Sequence, residues 1–177
     1  MTAVPPAPLR TAVVVGNPRP GSRTLAAAVH VARELVGARP DLVVDLATHG
    51  CALLDWASPE VAELVQAVGS ADLVVVASPT YKGSYTGLLK LFLDRFPTRT
   101  GLPGLAVPLL VGANPAHTLA AEVHLRPLVV ELGATVPGRA LFVLETEYDD
   151  PASYATWLEQ ARPLVRAFAA QRLEVAR

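Results

Sequence analysis

The stretch Leu73-Val74-Val75-Val76-Ala77-Ser78-Pro79-Thr80-Tyr81-Lys82-Gly83-Ser84-Tyr85-Thr86-Gly87-Leu88-Leu89-Lys90-Leu91-Phe92-Leu93 decides the fold. It opens on a short apolar run, residues 73–77, that reads as a buried strand, and closes on a second apolar run that reads as a helix over 86–96. Between them lies a loop of turn formers with two tyrosines and no acid, base or nucleophile set. In an open α/β sheet such strand-to-helix loops line the crevice at the carboxyl ends of the strands, where ligands bind. Backbone N–H groups and aromatic faces there make a surface for a flat ring.

The same alternation extends in both directions. Residues 11–15 form a β-branched run ending at Gly16, and 22–36 carry apolar residues at helical spacing. Residues 42–46 make a second strand of the continuous apolar kind that parallel sheets bury, followed by a loop over 47–58. Ser58-Pro59-Glu60 is a helix start: Ser caps free N–H groups, Pro is tolerated at the first position, and Glu suits the positive dipole end. That helix runs to about Ser70. Further along, the pattern predicts a strand over 106–111, a helix over 117–132 closed by Gly133, a strand over 139–144, a polar loop over 145–150 and a helix over 151–172. Strand alternating with helix through short connections predicts an α/β, three-layer, flavodoxin-like sandwich. Its five-stranded parallel sheet has the order 2-1-3-4-5, with helices on both faces.

Bulk properties narrow the classes. At 177 residues and 51% apolar composition the chain is expected to be one domain over 11–177, behind a loose, proline-bearing tail over 1–10 that lacks the pattern of a secretory signal. Its longest apolar runs are five residues, against the roughly 18 that a membrane span needs. A net charge of −1, with both signs spread along the chain, gives no field that would draw nucleic acid or an anionic membrane. Cys51 is the single cysteine, so neither an intrachain disulfide nor a cysteine metal cluster is available, which fits a cytoplasmic protein. His30, His49, His117 and His124 show no metal-ligand spacing, and no metal is expected.

The loop after the first strand, Gly16-Asn17-Pro18-Arg19-Pro20-Gly21-Ser22-Arg23-Thr24, is the natural partner of the third-strand loop, because the two flank the point where the strand order reverses. Free N–H groups at a helix start bind anions, Ser22 and Thr24 add hydroxyls, Asn17 an amide, and Arg19 or Arg23 a bidentate cation, a set suited to a monophosphate. It matches neither the dinucleotide fingerprint G-x-G-x-x-G nor the G-x-x-x-x-G-K-[ST] loop. The same residues also read as plain turn formers with Ser22 or Thr24 as a helix cap. A phosphate held here would set its attached ring against Tyr81, Tyr85 and the glycines Gly83 and Gly87.

Taken together, Asn17-Pro18-Arg19 with Ser22-Arg23-Thr24 and the run from Pro79 to Lys90 resemble the NADPH-dependent FMN reductases, particularly the flavin reductases of sulfonate utilisation. The resemblance continues through Gly112 to His117 and Leu125-Arg126-Pro127-Leu128. It implies that Asn17, Arg19, Ser22 and Thr24 hold the FMN phosphate. Pro79, Thr80, Tyr81, Lys82, Gly83 and Ser84 would border the isoalloxazine ring, and the segment from Gly112 to His117 would close the other side. It also implies an oxidoreductase that moves hydride from NADPH or NADH to FMN. Reduced flavin would then go to a monooxygenase, or electrons to a quinone, azo or metal-ion acceptor. The cofactors carry that chemistry, so no catalytic side chain is expected; backbone N–H groups at 81–84 polarise the ring and Lys82 is a charge partner or a solvated loop lysine. Many relatives have Ser at Asn17, and some carry an inserted aromatic residue at a tetramer interface in the fourth helix, where this chain has Val123 and His124. A flavodoxin-like carrier without reductase turnover is the alternative, although such carriers tend to be strongly acidic. Leu88, Leu89, Leu91, Phe92, Leu93 and Phe96 surround the third helix, which predicts a homodimer or homotetramer built around it.

Overall fold

The structure, a computed structural model, describes residues 9–175. Five parallel strands, β1 (Thr11–Val15), β2 (Leu42–Asp45), β3 (Leu73–Pro79), β4 (Leu105–Gly112) and β5 (Leu141–Leu144), form one sheet in the order β2-β1-β3-β4-β5. Helices α1 (Arg23–Val36), α2 (Pro59–Gly69), α3 (Gly87–Leu93), α4 (Arg126–Glu131) and α5 (Ala152–Val175) follow the strands in turn. The expected flavodoxin-like order is observed. Because β1 pairs with both β2 and β3, the loops after β1 and β3 leave the sheet side by side.

Alternation along apolar strands builds two cores. Val13 and Val15 of β1, with Leu73, Val75 and Ala77 of β3, pack under α1 and α5; the intervening Ala12, Val14, Val74 and Val76 pack under α2, α3 and α4. Helix α5 delivers Tyr154, Leu158, Ala161 and Val165 to its core at helical spacing, all buried. Burial of each large apolar side chain favours the folded state by about 1.5–3 kcal/mol, so docking of both helical layers follows from the strand pattern. Ser58 caps α2 as expected, its Oγ accepting the Val61 N–H at 3.4 Å, with Pro59 the first helical residue.

Four expectations need correction. Strand β2 is an edge strand whose Val43 is 44% exposed, and Leu46 has left it for a short 3-10 turn. An apolar run records burial but not which neighbour supplies it. The fourth helix is not regular over 117–132: a 3-10 turn at Pro115–His117 and a π-turn at Ala121–Leu125 precede α4. Pro127 explains the wide turn, since it has no N–H and its ring collides with the carbonyl four residues earlier in an ideal helix; the Arg126 N–H reaches back to the Ala121 carbonyl instead. Glu122 fastens this segment, accepting from Arg126 Nη1 at 2.6 Å and Ala140 N–H at 2.7 Å. Burial pushes its carboxyl up, but those two hydrogen bonds and the charges of Arg126 and Arg139 outweigh it, leaving the carboxyl below its ordinary range.

Third, α3 is short and already covered within one chain. Leu89, Phe92, Leu93 and Phe96 are buried, Leu88 and Leu91 are partly so, and the 3-10 turns at Leu46–Thr48 and Gly50–Leu54 lie against it. The exposed large apolar side chains lie elsewhere, among them Leu54, Trp56, Leu119, Val123 and Val130. Fourth, most of the expected tail, residues 1–8, lies outside the described residues, and Arg10 is anchored: its N–H donates to Asp72 Oδ2 at 2.9 Å. Among the described residues no helix is long and apolar enough to cross a membrane, and no group of three metal-ligating side chains occurs.

Candidate functional site

The β1 loop is a braced structure. Asn17, only 8% exposed, uses both ends of its amide: Oδ1 accepts the Arg19 N–H at 2.9 Å and Nδ2 donates to Thr24 Oγ1 at 3.1 Å. Gly21, at φ +63°, donates its N–H to Asp45 Oδ2 at 2.9 Å, pinning the loop to the end of β2. Ser22 caps α1 by accepting the Leu25 N–H at 3.2 Å. The N–H groups of Arg23 and Thr24 lie in the first turn, where no intrahelical acceptor exists. They have no partner among the described residues, and the hydroxyl hydrogens of Ser22 and Thr24 are likewise uncommitted. Four donors therefore converge at the positive end of a 14-residue helix.

The β3 loop is tied to it through Thr86. This buried hydroxyl donates to the Gly16 carbonyl while accepting the Leu89 N–H as the cap of α3, and the Thr86 N–H donates to Ser78 Oγ at 3.0 Å. Gly16 lets the two approach: a Cβ there would lie 2.3 Å from Leu89 Cβ. Beyond Thr80 the chain makes a two-residue hairpin turn. Tyr81 and Ser84 exchange both backbone bonds, at 2.8 and 3.1 Å, while Lys82 and Gly83 sit at φ 53° and 77°. Of the four N–H groups expected to polarise a ring, those of Tyr81 and Ser84 are thus consumed by the turn, and those of Lys82 and Gly83 have no partner among the described residues. Gly87 is ordinary helix rather than a special backbone position.

A cavity of about 390 Å³ lies between the loops, a size suited to a bound small molecule. Asn17, Arg19, Ser22, Thr24, Pro79 and Tyr81 line it, as do Pro20, Gly21, Arg23, Val111 and Glu145. Thr80, Lys82, Gly83, Ser84, Gly112 and His117 are not among the lining residues. His117 reaches the turn, since a Cβ on Gly83 would lie 3.9 Å from its Nε2. Thr80 Oγ1 is buried without a hydrogen-bond partner, 3.0 Å from where a Gly112 Cβ would stand. Sequence reasoning did not single out Val111 or Glu145; both stand at the carboxyl end of a strand, the one positional signal they carry.

Comparison with known proteins gives the constellation its context. A family model described as NADPH-dependent FMN reductase matches residues 9–149. An "FMN reductase (NADPH)" of Pseudomonas putida is 33% identical over 108 residues, covering 58% of this chain and 55% of that protein, so the match spans about half of that relative's length. The "NADH-dependent FMN reductase SfnF" of Pseudomonas fluorescens is 28% identical over 155 residues, covering 81% of this chain and 80% of the relative. The apo crystal structure of an NADH:FMN oxidoreductase superposes with a TM-score of 0.76 at 28% identity, over 92% of this chain and 89% of that one. On the match over residues 9–149, the chain belongs to the NADPH-dependent FMN reductase family.

Proposed function

We propose that this protein, through a single FMN-binding domain over 11–177, transfers hydride from NADPH or NADH to FMN. Reduced flavin goes to a monooxygenase, or electrons go to a quinone, azo or metal-ion acceptor. One observation carries the reading: an anion-ready helix start and an aromatic turn share one 390 Å³ cavity. The residues fit FMN. The Arg23 and Thr24 N–H groups, with the hydroxyls of Ser22 and Thr24 and the guanidinium of Arg19, hold the phosphate, while Asn17 shapes the loop that presents them. Pro79, Tyr81 and the flanking Thr80 to Ser84 border the ring, with Gly112 to His117 on the other side. The orphaned Thr80 hydroxyl and the N–H groups of Lys82 and Gly83 are donors awaiting an acceptor.

Bound FMN supplies the redox chemistry, as an acceptor of two electrons. The chain's part is orientation: Thr86 fixes the distance between the two loops, and the Lys82 and Gly83 N–H groups stabilise negative charge on the ring from a geometry set by the turn. Lys82 is the charge partner for a nicotinamide-nucleotide phosphate. The supporting test is a titration of the purified protein with FMN by fluorescence quenching, followed by nicotinamide absorbance with and without FMN. Flavin binding with FMN-dependent consumption of NADPH or NADH is expected. Binding without consumption would favour the flavodoxin-like carrier, a reading that a net charge of −1 does not support.

We also read the protein as cytoplasmic and as a homodimer or homotetramer. What supports association is the exposed apolar set Leu119, Val123 and Val130, each more than 45% exposed, rather than α3. Gel filtration at micromolar concentration should give a mass above that of one chain.

A further inference from the structure

The phosphate end of the cavity holds a carboxylate that a phosphate site does not need. Glu145 stands one residue past β5 and lines the same cavity as Arg19 and Arg23. Arg23 leans toward it: Nη2 is 3.2 Å from Glu145 Oε2 and Nη1 donates to the Glu145 carbonyl at 3.4 Å. Both side chains are partly open to solvent, 53% and 39% exposed, so the pair can part without leaving a buried charge. The other nearby carboxylate, Asp45, is occupied by the N–H groups of Gly21 and Ala47. Two arginines thus line the cavity, and the guanidinium of Arg23 is shared with an acid.

We propose that Glu145 sets how firmly flavin phosphate is held, by competing with it for the Arg23 guanidinium. The inference rests on the FMN-reductase reading of the cavity and goes beyond it to residence: FMN is held as an exchangeable substrate, gripped by Arg19 and the α1 start while Arg23 is divided between phosphate and Glu145. A phosphate monoester carries about −1.5 to −2 charge near neutral pH, so removing the competing carboxylate strengthens its hold. Riboflavin offers the same ring and no phosphate.

The test compares the wild type with Glu145→Gln, and with Glu145→Ala as a second variant, by fluorescence titration with FMN and with riboflavin at low and high salt. Both variants are expected to bind FMN about three- to fivefold more tightly at low salt, the scale of an exposed ion pair. Riboflavin affinity should be unchanged, and the gain should shrink as salt screens the charges. Stopped-flow release of FMN should slow by a similar factor. Unchanged or weaker FMN binding, or equal tightening for riboflavin, overturns the proposal while leaving the functional reading intact. A wild-type protein that binds neither flavin overturns both.

Discussion

The carboxyl ends of the strands and their amino ends carry cavities of similar size, about 390 and 450 Å³, yet their polar groups are in opposite conditions. At the amino end Asp72, 8% exposed, has every group matched. Its carboxylate accepts the Arg10 N–H and pairs with the Arg172 guanidinium, its N–H donates to the Arg10 carbonyl at 2.7 Å, and its carbonyl accepts the Leu105 N–H at 2.9 Å. At the carboxyl end, the first N–H groups of α1, those of Lys82 and Gly83, and the Thr80 hydroxyl have no partner among the described residues. Volume alone does not separate a binding site from a structural clamp. An unmatched buried donor does: the Thr80 hydroxyl, buried without a partner, costs about 1–3 kcal/mol unless a ligand completes it.

The comparison breaks most severely at Gly16. Gly16→Val puts a side chain where a Cβ already meets Leu89 Cβ at 2.3 Å and its Cα at 2.8 Å; we expect a loss of about 3 kcal/mol in urea unfolding, with loss of FMN binding. Asp72→Ala should cost about 2 kcal/mol by the same measurement, through the orphaned Arg10 N–H and Arg172. FMN affinity should stay within about twofold, as for distant independent sites; a parallel fall in affinity would mean that the two ends are coupled. Thr86→Val removes a cap and the bond to the Gly16 carbonyl without changing shape. It should cost about 1–2 kcal/mol and weaken FMN binding measurably, since it loosens one site loop from the other.

The smallest effect belongs to Tyr154, in the first turn of α5. Its hydroxyl donates to the Tyr148 carbonyl at 2.5 Å; burial, aided by the charge of Asp149, raises its pKa to about 12. Because the folded value lies above the ordinary one of about 10, its contribution is whole below about pH 10 and is lost as pH rises through the folded value. Tyr154→Phe should cost about 1 kcal/mol at neutral pH. Urea midpoints followed to about pH 12 should show the wild type's advantage shrinking.

Much of this fold is legible in the sequence because continuous apolar strands and capped helices alternate without interruption, and each local signal agrees with the sheet order. Ser58-Pro59 and Gly133, at φ +101°, act where their chemistry says they should. The illegible parts are those in which a neighbour decides. Edge position makes β2 half-exposed, the 46–54 turns cover the far side of α3, and Pro127 widens a helix that periodicity reads as regular. In the candidate site, residue types locate the two loops but not who bonds whom: Asn17 is legible as a donor, but in the folded loop its amide is taken up by Arg19 and Thr24. Glu145 comes from a strand end 122 residues away from Arg23, beyond any local pattern.

The Asp72 clamp also joins residues 10 and 172, distant in sequence, on one carboxylate at the pole opposite the cavity. A short linker between them would close the chain into a ring at little geometric cost, and new ends could open in the exposed turn at 37–39 between α1 and β2. The fold is therefore suited to circular permutation, and to carrying a fused domain at that pole while the cavity stays unobstructed.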